Sequence, residues 1–97
     1  MSAYMVAQIK VDDPEEYKNH LAGFLPIFEK HGGELLVTSS FQTEVIEGEW
    51  AYPRTVIMKF PTLKNAHEWH NDPDYKALAK HRWRSAKTNL VLVEGLS

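Results

Sequence analysis

The sequence predicts a small α+β domain whose strands and helices follow the order β-α-β-β-α-β. Residues 3–11 place apolar side chains at odd positions, which is typical of a half-buried strand. Asp13-Pro14 and Asp72-Pro73 are helix-start signals, and residues 30–33 (Lys-His-Gly-Gly) are a helix-stop signal. Residues 88–94 form a mostly apolar run before a glycine, which favours a closing strand.

These signals define the elements in chain order. The first strand leads into a helix that begins after Asp13, where Glu16 is expected to close a capping box, and that ends near His31. Pro26 predicts a kink or a split of this helix near residues 22–25. The other predicted elements are short strands at 34–39 and 43–47 around a turn at 40–42, a loop at 48–53, a strand at 54–60, a helix at 63–70, a longer helix from 72 to about 87, and a strand at 88–94.

Apart from a second helix that is broken in two and an extra strand at 43–47, this order is the ferredoxin-like split βαβ pattern, in which a mostly antiparallel sheet carries helices on one face. All 97 residues are expected to form one domain, since a chain of this length holds a single core. The predicted core consists of Met5, Ala7, Ile9, Leu21, Phe24, Phe28, Leu78 and either Val91 or Leu92.

The face of the sheet that the helices leave open is also apolar. Residues 56–58 and 90–93 are apolar on both faces, and Tyr4 and Val6 add to the open one. Antiparallel sheets with a face in water normally alternate between apolar and polar residues. The pattern therefore predicts a homodimer that packs sheet against sheet.

Composition excludes several classes of function. A net charge of −2 and a pI near 6.2 argue against a nucleic-acid-binding surface, and residues 54–60 lack the RNA-recognition signature. No apolar run is long enough to span a bilayer, and residues 1–4 lack a basic leader region, so we expect a cytoplasmic protein. The chain has no cysteine and no nucleotide-binding or nucleophile-elbow motif. We expect no cofactor.

An ordered set of short motifs along residues 4–95 resembles domain-of-unknown-function family 1330, within the dimeric α/β-barrel superfamily. The motifs are Tyr4…Gln8, Asp13-Pro14-Glu15…Tyr17, His31-Gly32-Gly33, Glu47-Gly48-Glu49-Trp50, Arg54…Phe60-Pro61, Ala66…Trp69, Pro73…Tyr75…Arg82 and Val93-Glu94-Gly95. His70 and Asp72 depart from the family, which usually has an aromatic residue and a serine there. The resemblance implies a ferredoxin-like subunit that pairs sheet to sheet with a second copy, and it brings no known activity.

Arg82 is the strongest candidate for ligand binding. It lies in the middle of an apolar helical stripe formed by Tyr75, Leu78, Ala79 and Ala86. A guanidinium in such a place needs a partner, because an unpaired buried charge costs several kcal/mol. That partner is either the carboxylate or phosphate of a ligand, or a glutamate of the protein: Glu47, Glu49 or Glu94. A third alternative is that the side chain extends past the end of the helix and places the guanidinium in water.

Four further residues are predicted near Arg82. His20 lies on the apolar side of the first long helix and is a candidate general base, although a structural histidine is the alternative. Arg54 lies beside an aromatic loop and is expected either to share a ligand with Arg82 or to neutralise Glu49. Tyr4 and Gln8, on the first strand, complete the predicted ligand-binding set.

Two other groups have weaker claims. His67 and His70 are three residues apart beside Asp72 and Asp74, but that spacing alone does not supply a third ligand, and no metal site is predicted. Trp50 is interpreted as an interface residue, because aromatic residues are enriched at interfaces.

Two functions of different classes fit these residues. One is a cofactor-free enzyme that acts on a small anionic or aromatic molecule in a pocket at Arg82. The other is a non-catalytic ligand-binding or structural dimer in which Arg82 pairs with a glutamate. A pocket with Arg82 free of protein carboxylates would favour the first.

Overall fold

The chain, of which a computed structural model describes residues 1–38 and 43–97, folds as an antiparallel sheet with helices on one face. Its elements are β1 (Ala3–Val11), α1 (Pro14–Lys30), β2 (Glu34–Val37), β3 (Arg54–Phe60), α2 (Leu63–Asn71), α3 (Pro73–Ser85) and β4 (Ala86–Glu94). The strand order in the sheet is β2-β3-β1-β4, and every neighbouring pair is antiparallel. The predicted α+β class is confirmed.

Alternation along β1 decides which face the helices cover. Met5 and Ala7 are buried under the helices, as are the other odd-numbered residues from Ala3 to Ile9. Met5 lies opposite Met58 and Leu92, which share its face. Strand side chains alternate, so the even-numbered residues of β1 must face away from the helices.

The helix-side face holds an aromatic core. Phe28 of α1, Phe60 of β3 and Trp69 of α2 are almost fully buried, and their ring centroids lie 5.3 to 5.8 Å apart. Trp69 in turn packs on Tyr75 of α3 with a centroid distance of 4.1 Å. This cluster fixes both short helices relative to α1 and the sheet.

One core prediction, Leu21 on α1, is wrong, and the alternative on β4 is decided. Leu21 is 56% exposed, because α1 turns the side with Tyr17, His20 and Phe28 inward. Of the two alternatives on β4, Leu92 is the inward one, whereas Val91 is 55% exposed on the open face. Phe24 and Leu78 are half-buried rather than fully buried.

Local helix signals were interpreted correctly at the starts and less well elsewhere. Asp13 caps α1 by accepting a hydrogen bond from the backbone N–H of Glu16 at 3.3 Å. The Glu16 carboxylate does not close a capping box; it pairs with His81 and Arg84 of α3, at 3.0 and 3.1 Å. Helix α1 runs without interruption through Pro26, and α3 gives way to β4 at Ala86.

The predicted strand at 43–47 is wrong. Residues 43–53 form a loop that is closed by a hydrogen bond from the backbone N–H of Thr43 to the carbonyl of Pro53. Val45 and Ile46 are exposed, so neither has the buried neighbours that hold an apolar strand residue in a sheet. Three of the four residues left undescribed, 40–42, are those of the predicted turn.

A junction of three helix ends lies beside the aromatic core. Asp72 follows α2 and caps α3, accepting a hydrogen bond from the backbone N–H of Asp74 at 2.8 Å. Its other carboxylate oxygen lies 2.7 Å from Nε2 of His31 at the end of α1, and 3.5 Å from Nζ of Lys30. One buried carboxylate therefore joins the C-terminus of α1 to the α2–α3 break.

Candidate ligand cavity

A cavity of about 150 Å³ lies between the helices and the sheet. Apolar side chains of β1, β3 and β4, such as Ala7 and Val56, form its floor. Aromatic and imidazole rings from all three helices form its walls. An apolar cavity of similar volume is known to hold a benzene molecule. Size and lining therefore fit a compact ring.

Arg82 is the one arginine that lines this cavity, and it is 7% exposed. Its Nη2 donates a hydrogen bond to the hydroxyl oxygen of Tyr75 at 3.1 Å. Among residues 1–38 and 43–97, no carboxylate lies within 4.0 Å of its guanidinium. A buried positive charge thus faces the cavity without a neutralising protein group.

His20 lines the same cavity from α1 and is 5% exposed. Burial, the nearby charge of Arg82 and then that of His81 lower its pKa to about 4. The imidazole is therefore neutral near pH 7, with one nitrogen able to donate and the other able to accept a hydrogen bond. Neither ring nitrogen has a hydrogen-bond partner among the residues that the structure describes.

Unpaired polar atoms cluster around this space. Within the part of the chain that the structure describes, the buried side-chain polar atoms without a hydrogen bond are the two nitrogens of His20, Nε1 of Trp69 and Oγ1 of Thr88. All three residues line the cavity. Each unpaired buried group costs about 1–3 kcal/mol, so a bound molecule with polar groups would recover that free energy.

Tyr17 adds a protonated phenol to the cavity wall. Burial raises its pKa, while the charges of Arg82 and Arg54 act in the opposite direction. The ring lies 5.5 Å from that of His20, centroid to centroid. The cavity thus combines neutral side chains with the single charge of Arg82.

The structure brings together two of the five predicted site residues. Arg82 and His20 face one cavity, and Arg54 begins β3 on the same face of the sheet, opposite Ile9, but is exposed and does not line the cavity.

Tyr4 and Gln8 lie on the other side of the sheet, where Oε1 of Gln8 accepts a hydrogen bond from Nδ2 of Asn89 at 3.2 Å. They are even-numbered residues of β1 and cannot share the cavity with Arg82. The predicted grouping of these two residues with Arg82 is not formed within the subunit.

Three cavity residues were missed from the sequence as functional residues: Trp69, Tyr75 and Thr88. A signal existed for Thr88. It occupies an inward position of β4, next to the apolar residues Ala86 and Leu90 on the same face. A polar residue in that series is as unusual as Arg82 in its helical stripe. Trp69 and Tyr75 were hidden because large aromatic residues are ordinary core residues.

The remaining candidates are the histidines of α2 and Trp50. No group of three or more metal-ligating side chains occurs within residues 1–38 and 43–97. Nδ1 of His70 lies 3.3 Å from Nζ of Lys76, and burial followed by the charge of Lys76 lowers the pKa of His70. Trp50 donates a hydrogen bond from Nε1 to Oγ1 of Thr55 at 3.2 Å, and its role as an interface residue stays a prediction.

Comparison with known proteins establishes the family. Residues 2–96 match the family described as "Domain of unknown function (DUF1330)", and the chain belongs to that family. The resemblance of its motifs is thus confirmed. None of the curated proteins matches the chain in sequence.

Solved structures share the fold at low sequence identity. A protein of unknown function from Rhodopseudomonas palustris is 21% identical, with a TM-score of 0.76 over 99% of this chain and 83% of its own. A dimeric ferredoxin-like protein of unknown function from Jannaschia sp. is 12% identical, with a TM-score of 0.71 over 98% of this chain and 100% of its own. SnoaB, a cofactor-independent oxygenase from Streptomyces nogalater, is 10% identical, with a TM-score of 0.65 over 99% and 94%. The ferredoxin-like fold is confirmed.

None of the helices in the described residues has the length and apolar character needed to cross a membrane.

Proposed function

We propose that this protein binds a compact aromatic anion in the cavity between its helices and its sheet. The observation that carries the proposal is the buried guanidinium of Arg82, which faces an otherwise apolar cavity and has no carboxylate within 4.0 Å among the described residues. A ligand carboxylate would supply the missing charge, and arginine binds such groups through two parallel hydrogen bonds. The aromatic walls would hold the ring.

The alternative structural role for Arg82 has less support. Glu47 and Glu49 lie in the exposed loop after residue 42. Glu94 is the last residue of β4, whereas Thr88 lies near the start of that strand. None of the three pairs with Arg82. The hydroxyl of Tyr75 is the hydrogen-bond partner that the structure provides, and it leaves the charge uncompensated.

We further propose that the protein is an enzyme that acts on the bound molecule in this cavity without a cofactor. This proposal is supported by the fold shared with SnoaB, described as a cofactor-independent oxygenase, and by a neutral histidine beside the charge of Arg82. At 10% identity the likeness extends to the fold, so binding is tested first.

Thermal unfolding in the presence of benzoate tests the binding proposal. A ligand at about ten times its Kd raises the free energy of unfolding by about 1.4 kcal/mol, which corresponds to about 7 °C in a domain of this size. We expect this shift for the wild-type protein with benzoate and a much smaller shift with uncharged benzyl alcohol.

The matched variants are Arg82→Met and Arg84→Met. Arg84 is exposed and pairs with Glu16 on the outer surface of the helices, so its replacement should leave the benzoate shift intact. Arg82→Met should abolish the shift while the protein still folds. Equal benzoate shifts in the two variants would contradict the proposal.

We also propose that two subunits pair through the open face of the sheet. Val91 and Val93 on that face are half exposed, and the structural neighbours from Jannaschia and Thermobifida fusca are described as dimeric. This pairing would leave the cavity, on the helix side of each sheet, as one site per subunit.

A further inference from the structure

The polar groups of the cavity differ in what they can offer a ligand. The guanidinium of Arg82, which donates to Tyr75, and the unpaired indole N–H of Trp69 are donors only, so an anionic oxygen is a suitable acceptor for either of them. A neutral imidazole is different, because one of its nitrogens is an acceptor. A ligand that carries only acceptor atoms would leave that nitrogen of His20 buried and unpaired.

Within residues 1–38 and 43–97, no protein group takes this role at His20. Both ring nitrogens are buried without a hydrogen bond to a described residue, and the rings that surround the imidazole on its own helix are those of Tyr17 and Phe24, with centroids at 5.5 and 5.6 Å. The charged or titratable groups that act on it from α3 are Arg82 and His81. A positive charge on either residue lowers the pKa of His20 and therefore favours the neutral imidazole.

We propose that His20 accepts a hydrogen bond from a hydroxyl group on the ligand whose anionic group pairs with Arg82. The substrate class is therefore a single-ring aromatic acid that bears a hydroxyl group. This inference rests on the proposed function and narrows it. The hydroxyl of Thr88, which is also buried and unpaired on the cavity floor, can donate to the same ligand oxygen.

Binding of two matched series of probes tests the inference. The first series is the three monohydroxybenzoates, and the second is the three monofluorobenzoates, which have similar size but no hydrogen to donate. Benzoate itself is the reference. Isothermal titration calorimetry of the wild-type protein should show at least one hydroxybenzoate binding about tenfold more tightly than the fluorobenzoate with the same substitution pattern, because one well-formed hydrogen bond contributes about that much.

Variants of His20 identify the acceptor. His20→Phe should reduce the hydroxyl preference to about twofold or less, while benzoate still binds through Arg82. His20→Gln should keep part of the preference, since the amide oxygen accepts a hydrogen bond, and it serves as the test if His20→Phe does not fold. His67→Phe replaces an exposed histidine of α2 and should change nothing.

Three results would contradict the inference or the proposed function. If wild-type protein binds benzoate but shows no hydroxyl preference, the inference about His20 is wrong and the proposed function stands. If His20→Phe keeps the preference, another residue is the acceptor and the inference is again wrong. If none of the probes binds, the proposed function is wrong and the inference with it.

Discussion

At the scale of single residues, two basic side chains line the cavity: Arg82 is charged and His20 is neutral at pH 7. Protonation of His20 would place a second positive charge in an apolar space that already holds the Arg82 guanidinium. Burial and the charge of Arg82 both oppose it, which is why the pKa of His20 falls to about 4. The site therefore presents one fixed charge and one neutral acceptor at neutral pH.

Acid should destabilise the protein through His20. Its pKa is about 4 in the folded chain and 6.5 when unfolded, so the unfolded state binds the extra proton between these values. Stability is lost as pH falls from about 6.5 to 4. We expect urea unfolding to show that wild type loses about 2–3 kcal/mol more than His20→Phe between about pH 7.5 and pH 4.5. His67→Phe should follow wild type, and a slope shared by all three proteins would contradict the prediction.

Removing the Arg82 charge should stabilise the empty protein. The guanidinium is buried without a carboxylate partner, and methionine fills a similar volume without a desolvation cost. Chemical unfolding without ligand should give Arg82→Met a free energy of unfolding about 1 kcal/mol above wild type. Arg84→Met, which loses an exposed pair with Glu16, should fall slightly below wild type. A large loss of stability in Arg82→Met would mean that Arg82 holds the fold.

Residue-scale patterns predicted part of the site. A charged residue in an apolar helical stripe is visible in the sequence, and so is a histidine on the apolar side of α1. Tyr4 and Gln8 were grouped with Arg82 although the alternation of β1 places them on the opposite face. Among the described residues, the polar atoms of His20 and Thr88 have no hydrogen-bond partner. This property depends on the side chains that every neighbouring element places around them, so it cannot be predicted from the local sequence.

At the scale of elements, the break between α2 and α3 shapes the cavity wall. Trp69 precedes the break and Tyr75 follows it, and their rings, tilted by 38° with centroids 4.1 Å apart, both line the cavity. Asp72 occupies the break, and its hydrogen bond to His31, then that to the backbone of Asp74, lowers its pKa to about 2. The carboxylate thus stays ionised down to strongly acidic pH and holds three helix ends together.

Substitutions at Asp72 should separate its two roles. Asp72→Ser keeps a capping oxygen for α3 but loses the pair with His31, whereas Asp72→Ala loses both. We expect chemical unfolding to place Asp72→Ala about 1 kcal/mol below Asp72→Ser, with both below wild type. Combining either change with His31→Ala should add less than the sum of the single effects. Fully additive effects would contradict a coupled junction.

The turn after α1 depends on the space beside Phe28. A Cβ at Gly33 would lie 2.4 Å from the ring of this fully buried residue. Gly33→Ala should therefore cost about 1–3 kcal/mol through packing. Gly48 has a φ of +80° with open space around it, so Gly48→Ala should cost only the backbone penalty of about 1 kcal/mol. Thermal unfolding of both variants checks the order, and a smaller loss for Gly33→Ala would contradict it.

Elements with strong end signals were predicted best. Asp13 and Asp72 cap the helices expected of them. The segment at 43–47 has the apolar content of a strand but no partner strand within the described sheet, where β2 pairs with β3 alone. Whether an apolar segment forms a strand depends on pairing with a second segment elsewhere in the chain, so the sequence of the first segment does not decide it.

At the scale of the whole molecule, the two faces of the sheet differ in what covers them. The helix-side face holds the core and the cavity, while the open face carries Tyr4, Val6, Ile57 and the half-exposed Val91 and Val93. An antiparallel sheet exposed to water normally carries polar residues on that face. Exposed apolar side chains on this face support the proposed pairing of two subunits, since exposed apolar patches are typical of interaction sites.

Sedimentation should show a particle of twice the 11.2 kDa chain mass at micromolar concentration. Val91 lies on the open face in the edge strand β4, paired with Val6 of β1 in the sheet register, so Val91→Lys places a charge on the face where the second sheet would pack. We expect this variant to sediment as a monomer and to unfold at a lower temperature, because the pairing of subunits contributes to stability. Leu25→Lys adds the same charge at a similarly exposed leucine of α1, on the helix side, and should remain dimeric. A wild-type monomer, or a Val91→Lys dimer of unchanged affinity, would show that the open face is not where two copies meet.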